Sequence, residues 1–175
     1  MLIKRIQEDP ILSKFLCDDC EENGVGINVS PLVKKEDYII IRVDEYYNSN
    51  LVHNPPKSPD CLIVQHCGGD KFVLYILELK AIATLKTEKL SDIRDKFQNC
   101  FDDFMTYRFP AYFYDGDYEF TIKLILISDP SESRKDNKGR PTRLDNLLAL
   151  PHCRFSNKKY PLDFRKPNPT IQPCQ

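Results

Sequence analysis

Three residues in the chain have the types and spacing for chemistry on a phosphate ester: Asp60, Glu78 and Lys80. Glu78 and Lys80 stand two apart in an apolar run, so on a strand their side chains leave the same face. Asp60 follows Pro59 and opens the preceding apolar run. If the two runs form a hairpin, the start of the first lies beside the end of the second, and all three groups meet at one edge of the sheet. A central strand that ends in charged side chains pointing with Leu74 and Ile76 needs compensation, because an unpaired buried charge costs several kcal/mol. A hard cation such as Mg²⁺ or Mn²⁺, held by Asp60, Glu78 and the Leu79 backbone carbonyl, would supply it. Such an ion polarises a phosphate and acidifies bound water, while Lys80 orients or deprotonates that water or offsets developing charge.

The spacing alone is not rare. An acidic residue two before a Lys is expected about twice by chance in this composition, and it does occur twice, at Glu78-Leu79-Lys80 and Asp136-Asn137-Lys138. Only the first ends an apolar strand, and only the first follows a Pro-Asp, a dipeptide the chain contains once.

The surrounding pattern predicts the elements that position the trio. Asp9-Pro10 reads as a helix start, with Ile11, Leu12, Phe15 and Leu16 as its stripe and Asn23-Gly24 as its stop. Asp37 to Val43 reads as a strand, and Tyr46 to Pro59 as a polar, Pro-containing loop. Asp60–Gln65 and Phe72–Leu79 read as strands joined by turn chemistry at Gly68-Gly69-Asp70. The second is apolar on both faces, as a covered central strand should be. A long helix over Thr87 to Tyr107 carries Leu90, Ile93, Phe97, Phe101 and Phe104 as its core stripe, and Asp92, Asp95, Asp102 and Asp103 as an acidic solvent face. Tyr118 to Ile127 is a further strand. Ser131 to Pro141 is charged and expected to be mobile, and Arg143 to Leu150 reads as a short helix. The last 25 residues, with five prolines, are expected to be irregular.

The expected fold is α/β, a small mixed β-sheet flanked by helices with an irregular basic C-terminal tail. Residues 1–129 form the domain, and 130–175 an extension packed on it. Net charge is -1 over 175 residues. From Pro130 onward ten Lys or Arg stand against four Asp or Glu, so the basic character is concentrated there. Lys57, Lys86, Lys89 and this tail are the candidate contacts to nucleic-acid phosphates. The mild overall charge predicts that a second copy or a partner subunit completes the binding surface. No run approaches the roughly 20 apolar residues of a membrane span, and the opening residues show no secretory pattern. With seven cysteines, an odd number, reduced thiols in a cytoplasmic protein are the expectation. Cys17 and Cys20 form a CxxC without a well-spaced second pair, so packing outranks zinc. His53 has no partner pattern, and Tyr46 and Tyr47 are minor candidates for base stacking.

With Pro59, Asp60, Glu78 and Lys80 in that order, the chain resembles the PD-(D/E)XK nuclease superfamily, the restriction-endonuclease-like proteins. The expected element order also matches: a leading helix, a three-strand meander, a helix and a further strand, over roughly Ile11 to Ser128. The resemblance implies that Asp60 and Glu78 bind a divalent metal and that Lys80 assists the water. It further implies an acidic residue from the first helix or its vicinity, for which Glu21, Glu22, Asp44 and Glu45 are the candidates. The function it implies is a metal-dependent endonuclease acting on DNA, ahead of an RNA-directed enzyme of the same fold or a silent interaction module.

Overall fold

A computed structural model describes residues 1–80, 87–114, 116–128 and 152–174, the side chains of 87–90 excepted. The chain is mixed α/β, and its centre is a six-stranded mixed sheet. Strands β4 (Tyr38–Arg42), β5 (Cys61–His66) and β6 (Lys71–Lys80) form an antiparallel meander. Gly68 and Gly69 close the β5–β6 hairpin with positive φ, a conformation glycine adopts without steric cost. Strand β7 (Glu119–Ser128) then runs parallel to β6 along its whole length. The short β1 (Leu16–Cys17) borders β4.

Alternation along the strands sends side chains to two different layers. On one face Leu62, Val64, Phe72, Leu74, Ile76, Ile122, Leu124 and Leu126 pack under helices. These are α1 (Leu2–Gln7), α2 (Val43–Asn48) and α3 (Thr87–Asn99) with its continuation. Ile93, Phe97, Phe101 and Phe104 are buried there, as their spacing anticipates. From Cys100 to Arg108 the helix widens to π geometry, and the Thr106 hydroxyl donates to the Phe101 carbonyl five residues back. A last turn, α4 (Pro110–Phe113), precedes β7.

The opposite face is covered by strands instead. β2 (Cys20–Glu22) and β3 (Val25–Val29) form a hairpin that β11 (Thr170–Ile171) joins in parallel. Val25, Ile27 and Ile171 pack on Ile63, Leu77, Leu79, Ile125 and Ile127.

Four expectations are corrected. The helix from Asp9-Pro10 to Asn23-Gly24 does not form. Asp9 does cap, accepting from the Ile11 and Leu12 amides at 2.8 Å each, but only a 3-10 turn over Leu12–Phe15 follows. The chain then extends, and Asn23 and Gly24, both at positive φ, make a two-residue hairpin turn between β2 and β3. The segment read as a loop from Tyr46 begins inside α2, whose Val43, Tyr46 and Tyr47 stack at i, i+3 and i+4 and bury. The end of the chain is not an irregular tail: β8 (Cys153–Phe155) and β9 (Lys158–Tyr160) form a hairpin. β10 (Leu162–Arg165) then extends the main sheet alongside β7. Apolar anchors explain this, since Phe155 stacks on Phe101 at 4.9 Å and Ile171 is buried. Finally, Cys20 pairs with Cys61 and Cys67 with Cys174 as disulfides. Only Cys17, Cys100 and Cys153 are thiols. Pairing removes Cys20 from any CxxC zinc site. The segments expected at Ser131–Pro141 and Arg143–Leu150 lie outside the described residues. Among the described residues no helix is long and apolar enough to cross a membrane.

Candidate functional site

Asp60, Glu78 and Lys80 meet on the helix-covered face, at the end of the sheet where β5 begins and β6 ends. The β5–β6 register pairs Cys61 with Leu77, so one step further sets Asp60 across from Glu78, on the face that also carries Leu62 and Ile76. The Asp60 backbone is fixed from both sides. Its amide donates to the Leu77 carbonyl at 3.0 Å, and its carbonyl accepts from the Val43 amide at 3.0 Å, at the head of α2. The approach through Lys57 is tied to α3: the Lys57 ammonium meets Asp92 at 2.7 Å, and the Asn99 side-chain amide donates to the Lys57 carbonyl at 2.8 Å.

Both carboxyls are inside the protein. Asp60 is 7% exposed and Glu78 0%. One Asp60 oxygen, Oδ2, accepts from the Leu79 amide at 2.5 Å. Burial first, and then the neighbouring Glu78 charge, push the Asp60 carboxyl up to about 7, against the pull of the Leu79 amide and the two lysines. Glu78 Oε1 receives two ammonium groups, Lys80 Nζ at 2.6 Å and Lys96 Nζ at 2.7 Å. Burial works against the Lys80 charge, yet the Glu78 hydrogen bond and charge outweigh it and raise its pKa. Glu78 Oε2 is buried with no hydrogen-bond partner. A carboxylate oxygen in that condition is costly unless a cation or a donor meets it.

This orphaned oxygen, beside a second buried carboxyl, fits a hard divalent ion. Two carboxylates and a backbone carbonyl are oxygen donors of the kind Mg²⁺ takes. The protein offers few further ligands: among the described residues no group of three or more His, Cys, Asp or Glu could hold a metal. The extra acidic candidates do not join the trio. Asp44 and Glu45 turn to Arg42, at 3.4 and 3.6 Å. Glu21 and Glu22 are exposed on β2, in the layer beyond the opposite face.

The other expected contacts are dispersed. Lys57 is exposed but engaged with Asp92, Lys86 lies outside the described residues, and so does the Lys89 side chain. Tyr46 and Tyr47 are buried, so neither presents a ring for stacking. The helical acidic face is only partly solvent: Asp103 accepts from the Tyr47 hydroxyl at 2.6 Å and pairs with Arg108. Sequence reasoning missed Lys96. Its one signal was a cation beside Phe97 and three residues from Ile93, at the border of the apolar stripe.

Comparison with family models, with curated proteins and with solved structures gave no match.

Proposed function

We propose that the chain is a divalent-metal-dependent endonuclease of the PD-(D/E)XK kind that hydrolyses DNA phosphodiester bonds. The observation that carries this reading is Glu78 Oε2, buried and unpartnered on the face it shares with Asp60 and Lys80. The antiparallel β4–β5–β6 meander, followed by α3 and a parallel β7, supports a restriction-endonuclease-like core.

In the reaction a water oxygen attacks phosphorus and gives up a proton to solvent, the ester P–O bond on the far side breaks, and the leaving oxygen takes up a proton from solvent. Asp60, Glu78 and the Leu79 carbonyl would hold Mg²⁺ or Mn²⁺, which when bound supplies Lewis-acid polarisation of the phosphate and a more acidic water. Asp60 Oδ2 is oriented by the Leu79 amide, so the carboxyl does not have to be reorganised during the reaction. Lys80 is held cationic against Glu78. An ammonium in that state donates to the water or to a phosphate oxygen and offsets charge as it develops. Helix α3 borders the site through Lys96, and on the core side Ile76 and Phe97 are fully buried, which keeps water from that side.

Lys57, Lys86 and Lys89 are the proposed phosphate contacts, with Lys57 leaving Asp92 to make its contact. A second copy or a partner subunit would enlarge the surface. A cytoplasmic location loses the support of reduced thiols at the four paired cysteines.

The test is cleavage of plasmid DNA and of single-stranded RNA with Mg²⁺ or Mn²⁺. Cutting of DNA by the wild type and its loss in Asp60→Ala and Lys80→Ala are expected. RNA-only cutting would reassign the substrate. Equal cutting by both variants, or none by any form, would sink the reading.

A further inference from the structure

Lys96 sits on α3, one turn after Asp92, and reaches down to the Glu78 oxygen that Lys80 also holds. Both ammonium groups converge on Oε1, and neither touches Oε2. The carboxylate is thereby fixed in one orientation with its second oxygen aimed away from the lysines. Each lysine side chain is still about a quarter exposed, at 27% for Lys80 and 22% for Lys96. Each ammonium has three N–H donors, so donors remain for a ligand arriving from solvent.

The charges matter as much as the orientation. Two carboxylates, Asp60 and Glu78, face two ammoniums, Lys80 and Lys96. With all four ionised the site is neutral. A divalent ion entering this cluster alone leaves it at +2 in a poorly hydrated place, which is unfavourable where the effective dielectric is low. A phosphodiester strand brings the missing negative charge, and it brings it next to the exposed sides of both lysines.

We propose that Lys96 is a positioning residue for Glu78 and that, by neutralising the site, it makes divalent-cation binding depend on the arrival of a phosphate-bearing strand. This inference rests on the nuclease reading above. It adds that the free protein binds the ion weakly, that nucleic acid and ion bind with positive cooperativity, and that Lys96 sets the size of that coupling.

The experiment is calorimetric titration of the full chain with Mn²⁺, alone and with a DNA oligonucleotide carrying phosphorothioate linkages. Wild type, Lys96→Met and Lys96→Arg are compared. For the wild type, DNA should tighten Mn²⁺ binding by about tenfold or more, a coupling of about 1.4 kcal/mol. Lys96→Met should bind Mn²⁺ about tenfold tighter than wild type without DNA, because one repelling charge is gone. It should gain less from added DNA, and turn over more slowly because Glu78 is no longer held. Lys96→Arg keeps the charge and should restore the wild-type Mn²⁺ affinity. A residue that merely stabilises the fold would not tighten metal binding when removed. Mn²⁺ affinity that is unchanged or weaker in Lys96→Met overturns the inference, and the nuclease reading survives if the wild type still cuts. Absence of Mn²⁺ binding by the wild type under both conditions, together with absence of cutting, overturns both.

Discussion

Replacing Asp60 with Asn should make the protein more stable at alkaline pH while removing the proposed activity. The carboxyl is pushed from its ordinary 3.8 up to about 7, chiefly by burial and then by Glu78. For an acid raised in this way, the folded state holds the proton more tightly than the unfolded chain. Below pH 3.8 both states are protonated and the shift costs nothing. Between 3.8 and about 7 stability falls as pH rises, because the folded state must give up a proton it prefers to keep. Above about 7 the full penalty is present. The gap between the two values corresponds to about 4 kcal/mol. Asn carries no such penalty, and its side-chain oxygen can still accept from the Leu79 amide. Urea denaturation of wild type and Asp60→Asn at pH 4 and pH 8 reads the difference directly. The two proteins should nearly coincide at pH 4. At pH 8 the variant should be more stable by up to about 4 kcal/mol, or on the order of 10 °C in Tm for a chain of this size. A variant less stable at pH 8, or a difference that does not change with pH, would refute the argument that Asp60 is ionised there at a cost.

Glu78→Ala leaves two half-buried ammoniums without their shared partner and should destabilise by about 3–5 kcal/mol at neutral pH, read by urea midpoint. Phe97→Ala opens the core between α3 and the sheet and should cost a similar about 3–5 kcal/mol, with no change in the Mn²⁺ dependence of any residual cutting. Thiol titration of the denatured, unreduced protein should count three free cysteines, Cys17, Cys100 and Cys153, and seven after reduction. Cys20→Ser should lower stability by about 4 kcal/mol on loop-entropy grounds for a sequence separation of 41 residues; seven free thiols before reduction would remove the basis for that figure.

Much of the sheet was legible because its strands are apolar with clear breaks. Phe72 to Leu79 is apolar on both sides, and the strand is covered on both sides, by helices and by the β2–β3–β11 sheet. The alternation that puts Glu78 in phase with Ile76 is enough to place it on the helix face. The stripe from Ile93 to Phe104 could be followed even through the π turns, since its spacing of three and four survives the widening. What failed were places where one signal serves two structures. Asn-Gly stops a helix and also turns a hairpin, and only the pairing of Cys20–Glu22 with Val25–Ile27 decides between them. Prolines in the last 25 residues argued for irregularity, but Pro161, Pro167 and Pro169 sit between short strands of a segment that buries Phe155 and Ile171. The Cys20–Cys61 pair spans two layers, and no local pattern encodes it. Lys96 was hidden for the same reason: its partner lies eighteen residues away on another element.

The most direct test of the central claim is where a bound ion goes. Crystals soaked in Mn²⁺ and measured at its absorption edge should show one strong anomalous peak about 2.0–2.3 Å from a carboxylate oxygen of Asp60 and from Glu78 Oε2. Absence of a peak at saturating Mn²⁺, or a peak bound by other residues with Glu78 Oε2 still unpartnered, would contradict the account.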